Sequence, residues 1–236
     1  MNRTRKYSLD ESFFDTIDTE SKAYWLGFLS ADGYVSKSGV SLMLKGADSS
    51  HLASFLSAIG SSSPVRFGMS TANGRRYLHA RAIVHSARIV ESLSALGVTD
   101  DKSLTISPCP VIPPNLKRHY WRGVFDGDGC IMPMKGQRGY MMSLVGNEAM
   151  LNGFVAFADS HTHLRPSVLR FSHARAFRIS YGGVWGVQQL AHALYDNASI
   201  SLPRKKDMID ALFSITPLVI RTEIHTRQSR VVQRSA

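Results

Sequence analysis

The strongest constraint on this chain is a short phrase that it carries twice. Tyr24-Trp25-Leu26-Gly27-Phe28-Leu29-Ser30-Ala31-Asp32-Gly33 returns 96 positions later as Tyr120-Trp121-Arg122-Gly123-Val124-Phe125-Asp126-Gly127-Asp128-Gly129. Both copies read Tyr-Trp-x-Gly, two bulky apolar residues, a polar residue, a small residue and Asp-Gly. A repeat of this spacing matches the length of a small domain, so two similar lobes are expected. Within each copy the small residues stand four apart, Gly27 with Ala31 and Gly123 with Gly127. That spacing puts them on one helical face. A glycine inside a helix costs about 1 kcal/mol relative to alanine. Two helices that accept this cost at matching positions predict close backbone approach, the steric logic of small-xxx-small pairs. An ordinary buried helix with an incidental glycine would account for one copy, but not for both.

Asp32 and Asp128 fall where each helix should end, before a glycine suited to a left-handed cap. The C-terminal end of a helix carries partial negative charge, and a second acid nearby disfavours ionisation further. If the helices pair, two carboxylates and two negative helix ends converge. A divalent cation is the natural relief, and oxygen-only ligands favour magnesium, calcium or manganese. Two surface Asp-Gly turns would explain each acid alone, but not their shared context.

Composition narrows the partner. The chain has 236 residues, 44% of them hydrophobic, enough for one large domain or two small ones. Its formal net charge of +10 favours polyanions, with nucleic acid the leading partner. Cys109 and Cys130 are the only cysteines, which argues against a disulfide framework or a cysteine-ligated zinc site. No stretch is long and apolar enough for a signal sequence or a membrane span, so a cytoplasmic protein in a prokaryotic or phage-type setting is expected. The Asp126-Gly127-Asp128-Gly129 run lacks the remaining ligands of a calcium loop.

Periodicity supplies the rest of each lobe. Asp18 or Thr19 can cap a helix running to about Ala31, and strand-like pieces flank Lys37. A helix over Asp48–Ile59 stops at Gly60, and another over Ser86–Leu96 stops at Gly97. Between them Arg75–Val84 alternates, with Tyr77, His79 and Arg81 on one side and Leu78, Ala80, Ala82 and Val84 on the other. After a proline-rich connection, Asn115 can cap the second motif helix and the same order recurs. Strands are expected at Cys130–Lys135, Tyr140–Val145, Ser167–Phe171 and Ala176–Tyr181, with helices at Glu148–Ser160 and Val184–Tyr195. A last helix near Lys205–Phe213 has no partner in the first lobe. The expected division is a first lobe over 1–105, a linker over 106–114, a second lobe over 115–216 and a basic tail over 217–236. The class is α+β, two pseudo-symmetric αββαββα lobes joined through the motif helices. Antiparallel strands covered on one face by helices leave the other face open, and a β-ribbon fits the DNA major groove. Candidates for that open face are Lys37, Arg66, Arg75, Tyr77, His79 and Arg81 in the first lobe. In the second they are Lys135, Gln137, Arg138, Arg170, Arg175 and Arg178.

The paired phrases resemble the motifs of the LAGLIDADG homing endonucleases in their single-chain, two-motif form. The resemblance extends over roughly residues 7–214. It implies that the motif helices pack at a pseudo-twofold axis, with Gly27 and Gly123 at their contact, and that the sheets form a saddle over duplex DNA. It further implies that Asp32 and Asp128, with Ala31 and Gly127 beside them, hold the catalytic metal. The metal would be Mg2+, with Mn2+ or Ca2+ able to substitute for binding. Lys102 and Lys205 match by position the basic residues that assist catalysis. Ser30 departs from the acidic position that Asp126 fills in the second copy, which should alter packing or capping more than metal binding. The implied activity is site-specific hydrolysis of both DNA strands by a monomer with no protein partner. The alternative is a cleavage-deficient DNA- or RNA-binding protein of the same fold, an intron maturase or regulator.

Overall fold

The computed structural model describes residues 6–100, 102, 105–136, 139–170 and 176–215, apart from the side chains of Ala72 and Arg170. The first motif forms α1 (Glu20–Asp32), capped by the Thr19 hydroxyl, which accepts from the Lys22 amide at 3.3 Å. Every residue from Ala23 to Ser30 is buried. A helix that is apolar on all sides belongs inside a core, and α1 lies there.

The hairpin of β1 (Gly33–Ser36) and β2 (Gly39–Lys45) follows without an intervening loop. Next come α2 (Ser49–Ala58), the hairpin of β3 (Arg66–Ala72) and β4 (Arg75–Val84), and α3 (Ala87–Ala95). The second motif forms α4 (Lys117–Asp128), succeeded by β5 (Gly129–Pro133), β6 (Tyr140–Gly146) and α5 (Glu148–Asp159). The lobe continues with β7 (Ser167–Arg170), β8 (Phe177–Gly183) and α6 (Trp185–Tyr195). A final helix, α7 (Pro203–Phe213), has no counterpart among the described residues of the first lobe.

The two sheets share one topology, β1-β2-β4-β3 and β5-β6-β8-β7, antiparallel throughout. Leu42, Leu44, Ala80, Ala82 and Val84 turn to the helices of the first lobe, and Met142, Leu144, Ile179 and Tyr181 to those of the second. The predicted alternation of β4 holds from His79 onward. Leu78 departs from it and is 52% exposed, because the β3–β4 hairpin projects past its helical cover.

Two expectations about helix ends are corrected. Gly33 and Gly129 are extended, with φ of −71° and −81°, not left-handed. Each is already the first residue of a strand, so the chain leaves the helix straight into a sheet. Glycine is needed there for room: a Cβ on Gly33 would lie 2.9 Å from Leu29 Cα, and one on Gly129 would run into the Phe125 ring and carbonyl. Asn115 does not cap α4. A 3-10 turn over Pro114–Leu116 precedes the helix, whose N-cap, Leu116, supplies no side-chain bond.

Helices α1 and α4 pack backbone to backbone. A Cβ on Gly27 would collide with the Tyr120 carbonyl and stand 2.9 Å from its carbon. One on Gly123 would meet the Tyr24 carbonyl and stand 2.7 Å from the Phe28 nitrogen. Rigid backbone on the far side leaves no room to yield. Gly27→Leu or Gly123→Leu should therefore lose about 3 kcal/mol of stability or more, at the upper end of overpacking costs. Denaturant unfolding measures this, and unchanged midpoints for both variants would refute the close helix contact.

Candidate active site

The helix pairing carries the C-terminal ends of α1 and α4, and with them Asp32 and Asp128, to one place. Each acid keeps a side open to solvent, yet protein crowds the remainder. The crowding sets the direction: Asp128 is pushed up to about 6, by desolvation first and by the neighbouring Asp32 charge second, against Lys102 and Lys205. Desolvation also raises Asp32, opposed by Lys205, Lys102 and Arg204. A cavity of roughly 230 Å3 at this junction is lined by Ser30, Ala31, Lys102, Asp128 and Asn147 among others. A larger hollow, about 620 Å3, lies between the Pro108–Pro114 segment and α5, and no acid lines it.

Both candidate lysines reach the helix ends, in related ways. Lys102 Nζ donates to the carbonyls of Ala31 at 3.2 Å and Gly33 at 2.6 Å. Lys205 Nζ donates to Gly129 at 2.5 Å and approaches Gly127 at 3.4 Å, the residues 96 positions on. It also donates to Phe125 at 2.6 Å and Asp126 at 2.7 Å. The negative end of each motif helix is therefore already met by a buried ammonium. Burial pulls Lys205 down to about 8 in spite of Asp126, and pulls Lys102 down in spite of Asp128 and Asp32.

The departure at Ser30 has a local consequence. Its hydroxyl donates to the Leu26 carbonyl at 2.8 Å within its own helix. At the related position the fully buried Asp126 accepts from Tyr24 Oη at 2.8 Å, Tyr195 Oη at 2.5 Å and the Leu202 amide at 2.7 Å. Tyr24 Oη also bonds His51 Nε2 at 2.9 Å. A second bridge crosses the helix pair, from the buried Arg122 to the half-buried Glu20 at 2.6 Å, with Arg122 also donating to the Leu194 and Ile200 carbonyls.

The donor set at the helix ends is hard oxygen: two carboxylates, with the carbonyls of Ala31 and Gly127 beside them. Among the described residues no group of three or more His, Cys, Asp and Glu could hold a metal. Two carboxylates, completed by water and substrate phosphate, match the way Mg2+ is commonly held. The residues fit a divalent cation shared with a phosphate ligand better than one enclosed by protein alone.

On the open face of the first sheet, Arg66 pairs with Arg81, and His79 pairs with both Gly68 and Lys45. Arg75 and Tyr77 continue β4, Lys37 is exposed in the β1–β2 turn, and Arg81 donates to the Ser41 hydroxyl at 3.1 Å. A Cβ on Gly68 would lie 2.7 Å from His79 Nε2, so glycine lets the imidazole lie across β3. Tyr34, Met43 and Lys45 share this face and were missed in the sequence reading. Alternation carried outward from β4 would have found them.

The second sheet is less basic where it is described. Arg178 is on its open face and Lys135 is exposed in the β5–β6 turn. Leu169 pairs with Arg178 across β7 and β8, and the side chain of Arg170 lies outside what is described. Gln137, Arg138, Arg175 and the tail beyond Ile215 lie outside the described residues.

Two αββαββα lobes joined along glycine-bearing helices, with an acid at each helix end, have the LAGLIDADG homing-endonuclease fold. Among solved structures, the chain is similar to the homing endonuclease I-WcaI bound to its DNA recognition sequence. The TM-score is 0.57 at 12% identity, over 82% of this chain and 87% of that one. It is similar to the meganuclease I-SmaMI bound to uncleaveable DNA, with a TM-score of 0.54 and 11% identity over 81% of this chain and 89% of the other. The LAGLIDADG meganuclease I-AabMI bound to uncleaved DNA gives 0.51 and 12%, over 81% and 91%. I-SmaMI has also been seen on uncleaved target with calcium ions present. No protein-family model and no curated protein matches the chain. Among the described residues no helix is long and apolar enough to cross a membrane.

His51 gives this interior a pH dependence. Desolvation is the main cause that lowers it to about 4, with Arg204 assisting and Asp48 opposing. Its folded value lies below the unfolded one of about 6.5, so its contribution is complete above pH 6.5 and is lost as pH falls toward 4. The loss should be on the order of 3 kcal/mol. His51→Gln should flatten that part of the profile. Parallel profiles for the two proteins between pH 7 and 4 would contradict a buried neutral imidazole.

Proposed function

We propose that this protein is a site-specific endonuclease that hydrolyses both strands of a long duplex DNA target, acting as a monomer with internal pseudo-twofold symmetry. The observation that carries this reading is the convergence of Asp32 and Asp128 at paired helix ends, where desolvation first and the Asp32 charge second raise Asp128. Two turn aspartates of a binding module would have no reason to crowd one another between open sheet faces. The basic open face of the first sheet, formed by Arg66, Arg75, His79 and Arg81, supports DNA as the ligand. The DNA-bound structures of similar fold support it further.

Asp32 and Asp128, with the carbonyls of Ala31 and Gly127, would hold Mg2+, and Mn2+ or Ca2+ could stand in for binding. When bound, such a cation lowers the pKa of water and neutralises charge on phosphate oxygens. The residues of the chain do the rest. The sheets orient the duplex so that its scissile phosphates lie over the helix ends. Lys102 spends two of its three N–H donors on Ala31 and Gly33, leaving one for a phosphate oxygen or an ordered water. Lys205 has four carbonyls around three donors, so its role is to stabilise the end of α4 and position Asp128.

Asp32→Asn and Asp128→Asn should abolish double-strand cleavage of supercoiled DNA carrying candidate targets in Mg2+, while leaving the fold intact. Each should also abolish the rise in melting temperature that Mg2+ gives the wild type, a readout independent of activity. Affinity for duplex in chelator should stay the same or improve, since a negative charge beside phosphate is removed. Full cleavage by both variants would rule out these acids as the metal site. Lys102→Met should cut the rate by roughly 10²-fold or more, as loss of a transition-state donor does. Lys205→Met should lower stability as well, because four carbonyls lose their donor.

A further inference from the structure

Beside the basic sheet face, away from the helix ends, lies a second basic feature. The segment around Ser8–Asp10 is fastened to the loop after α2. The Ser8 amide donates to Ser62 Oγ at 2.9 Å, Ser8 Oγ to the Gly60 carbonyl at 2.9 Å, and the Asp10 amide to the Ile59 carbonyl at 2.9 Å. These bonds deliver Lys6 and Tyr7 to the rim of the first sheet, where Lys6 Nζ stands 5.2 Å from the centre of the Tyr7 ring. There they help enclose a pocket of roughly 430 Å3 with Arg66, His85 and the hydroxyl-bearing Ser61 and Ser63. Ser63 Oγ donates to the Ile83 carbonyl at 3.3 Å, which fixes that wall to β4.

The pocket gathers two cationic side chains, an imidazole and the Ser61 hydroxyl against an apolar wall of Leu9, Ile83 and Val84, the donors an anion needs. Among the described residues no acid lines it. The nearby Glu11 is engaged by the Ser86 hydroxyl at 3.2 Å. It is also continuous with the open sheet face. Arg66 belongs to both, paired with Arg81 on the sheet, and Ile83 continues the alternation of His79 and Arg81 into the pocket wall. A duplex lying along that face would carry its backbone past Arg66 toward Lys6.

We propose that this pocket is a subsite for one backbone phosphate of the duplex, a contact outside the sheet that lengthens the footprint without reading sequence. It rests on the DNA-binding reading and commits to a phosphodiester in duplex DNA as its ligand. Phosphate contacts of this kind fix register and add salt-dependent affinity.

The test is the affinity of the full chain for a random-sequence duplex of about 60 base pairs across a salt series, a probe long enough to pass the sheet. Because each neutralised phosphate adds about 0.9 to the slope of log K against log salt, Lys6→Ala with His85→Ala should lower the slope by about one. Affinity near physiological salt should fall about three- to tenfold, with an unchanged melting temperature. Arg88→Ala, which removes a positive charge from the helical side, where Arg88 pairs with Asp15, should leave both quantities unchanged. If the wild type binds with a steep slope and the Lys6/His85 variant keeps both slope and affinity, the pocket is not a phosphate subsite. If Arg88→Ala matches the loss, net charge is responsible and the inference likewise falls. A wild type with no salt-dependent binding would instead overturn the DNA-binding reading itself.

Discussion

The contact between α1 and α4 is the constraint on which the rest depends. Because Gly27 and Gly123 admit the opposite backbone, the helices approach more closely than side chains would allow. Each helix passes into a strand with no residue between them, so the helix crossing also sets where both sheets begin. The site follows from this without a dedicated loop: the acids converge because they are the last residues of helices that touch.

Bringing two negative helix ends together is electrostatically unfavourable. A divalent cation is one remedy visible in the sequence, but the structure contains another. Lys102 and Lys205 enter from outside the motifs and place their ammonium groups on the terminal carbonyls. The apparent charge crowding is thus divided. Lysines stabilise the peptide dipoles, and the carboxylates keep their open side free of them. Burying a lysine is itself costly, and the lowered values of both reflect that cost.

What could be read from the chain was local and periodic. The repeat spacing, the helical four-residue interval and the alternation along β4 each report geometry within a few residues, and they gave the lobes, the axis and half of the open face. The contacts that lock the lobes join residues far apart. Glu20 meets Arg122, and Asp126 meets Tyr24. Nothing in a single sequence marks Arg122 as a buried bridge, since by pattern it is a charge interrupting an apolar motif. The left-handed caps were expected because Asp-Gly commonly marks them. Direct entry into a strand removed the need for positive φ and left a steric reason for the same glycine.

The departures from twofold symmetry follow a rule. Positions at the axis keep their relation closely: glycine opposite glycine, acid beside acid, lysine over the same two carbonyls. Positions one layer inward do not. Ser30 closes on its own helix while Asp126 gathers three donors from three places, one of them the Leu202 amide in the turn before α7, which has no counterpart among the described residues of the first lobe. A buried carboxylate is tolerable there because each of those donors compensates its lost hydration. At Ser30 the added helix is missing, and a carboxylate would have fewer donors to meet it. The two lobes therefore share a backbone solution at the axis and differ where their surroundings differ. The same logic governs the open faces, where the first sheet is basic and the described part of the second is largely apolar. Such faces suit a ligand whose two halves are unlike.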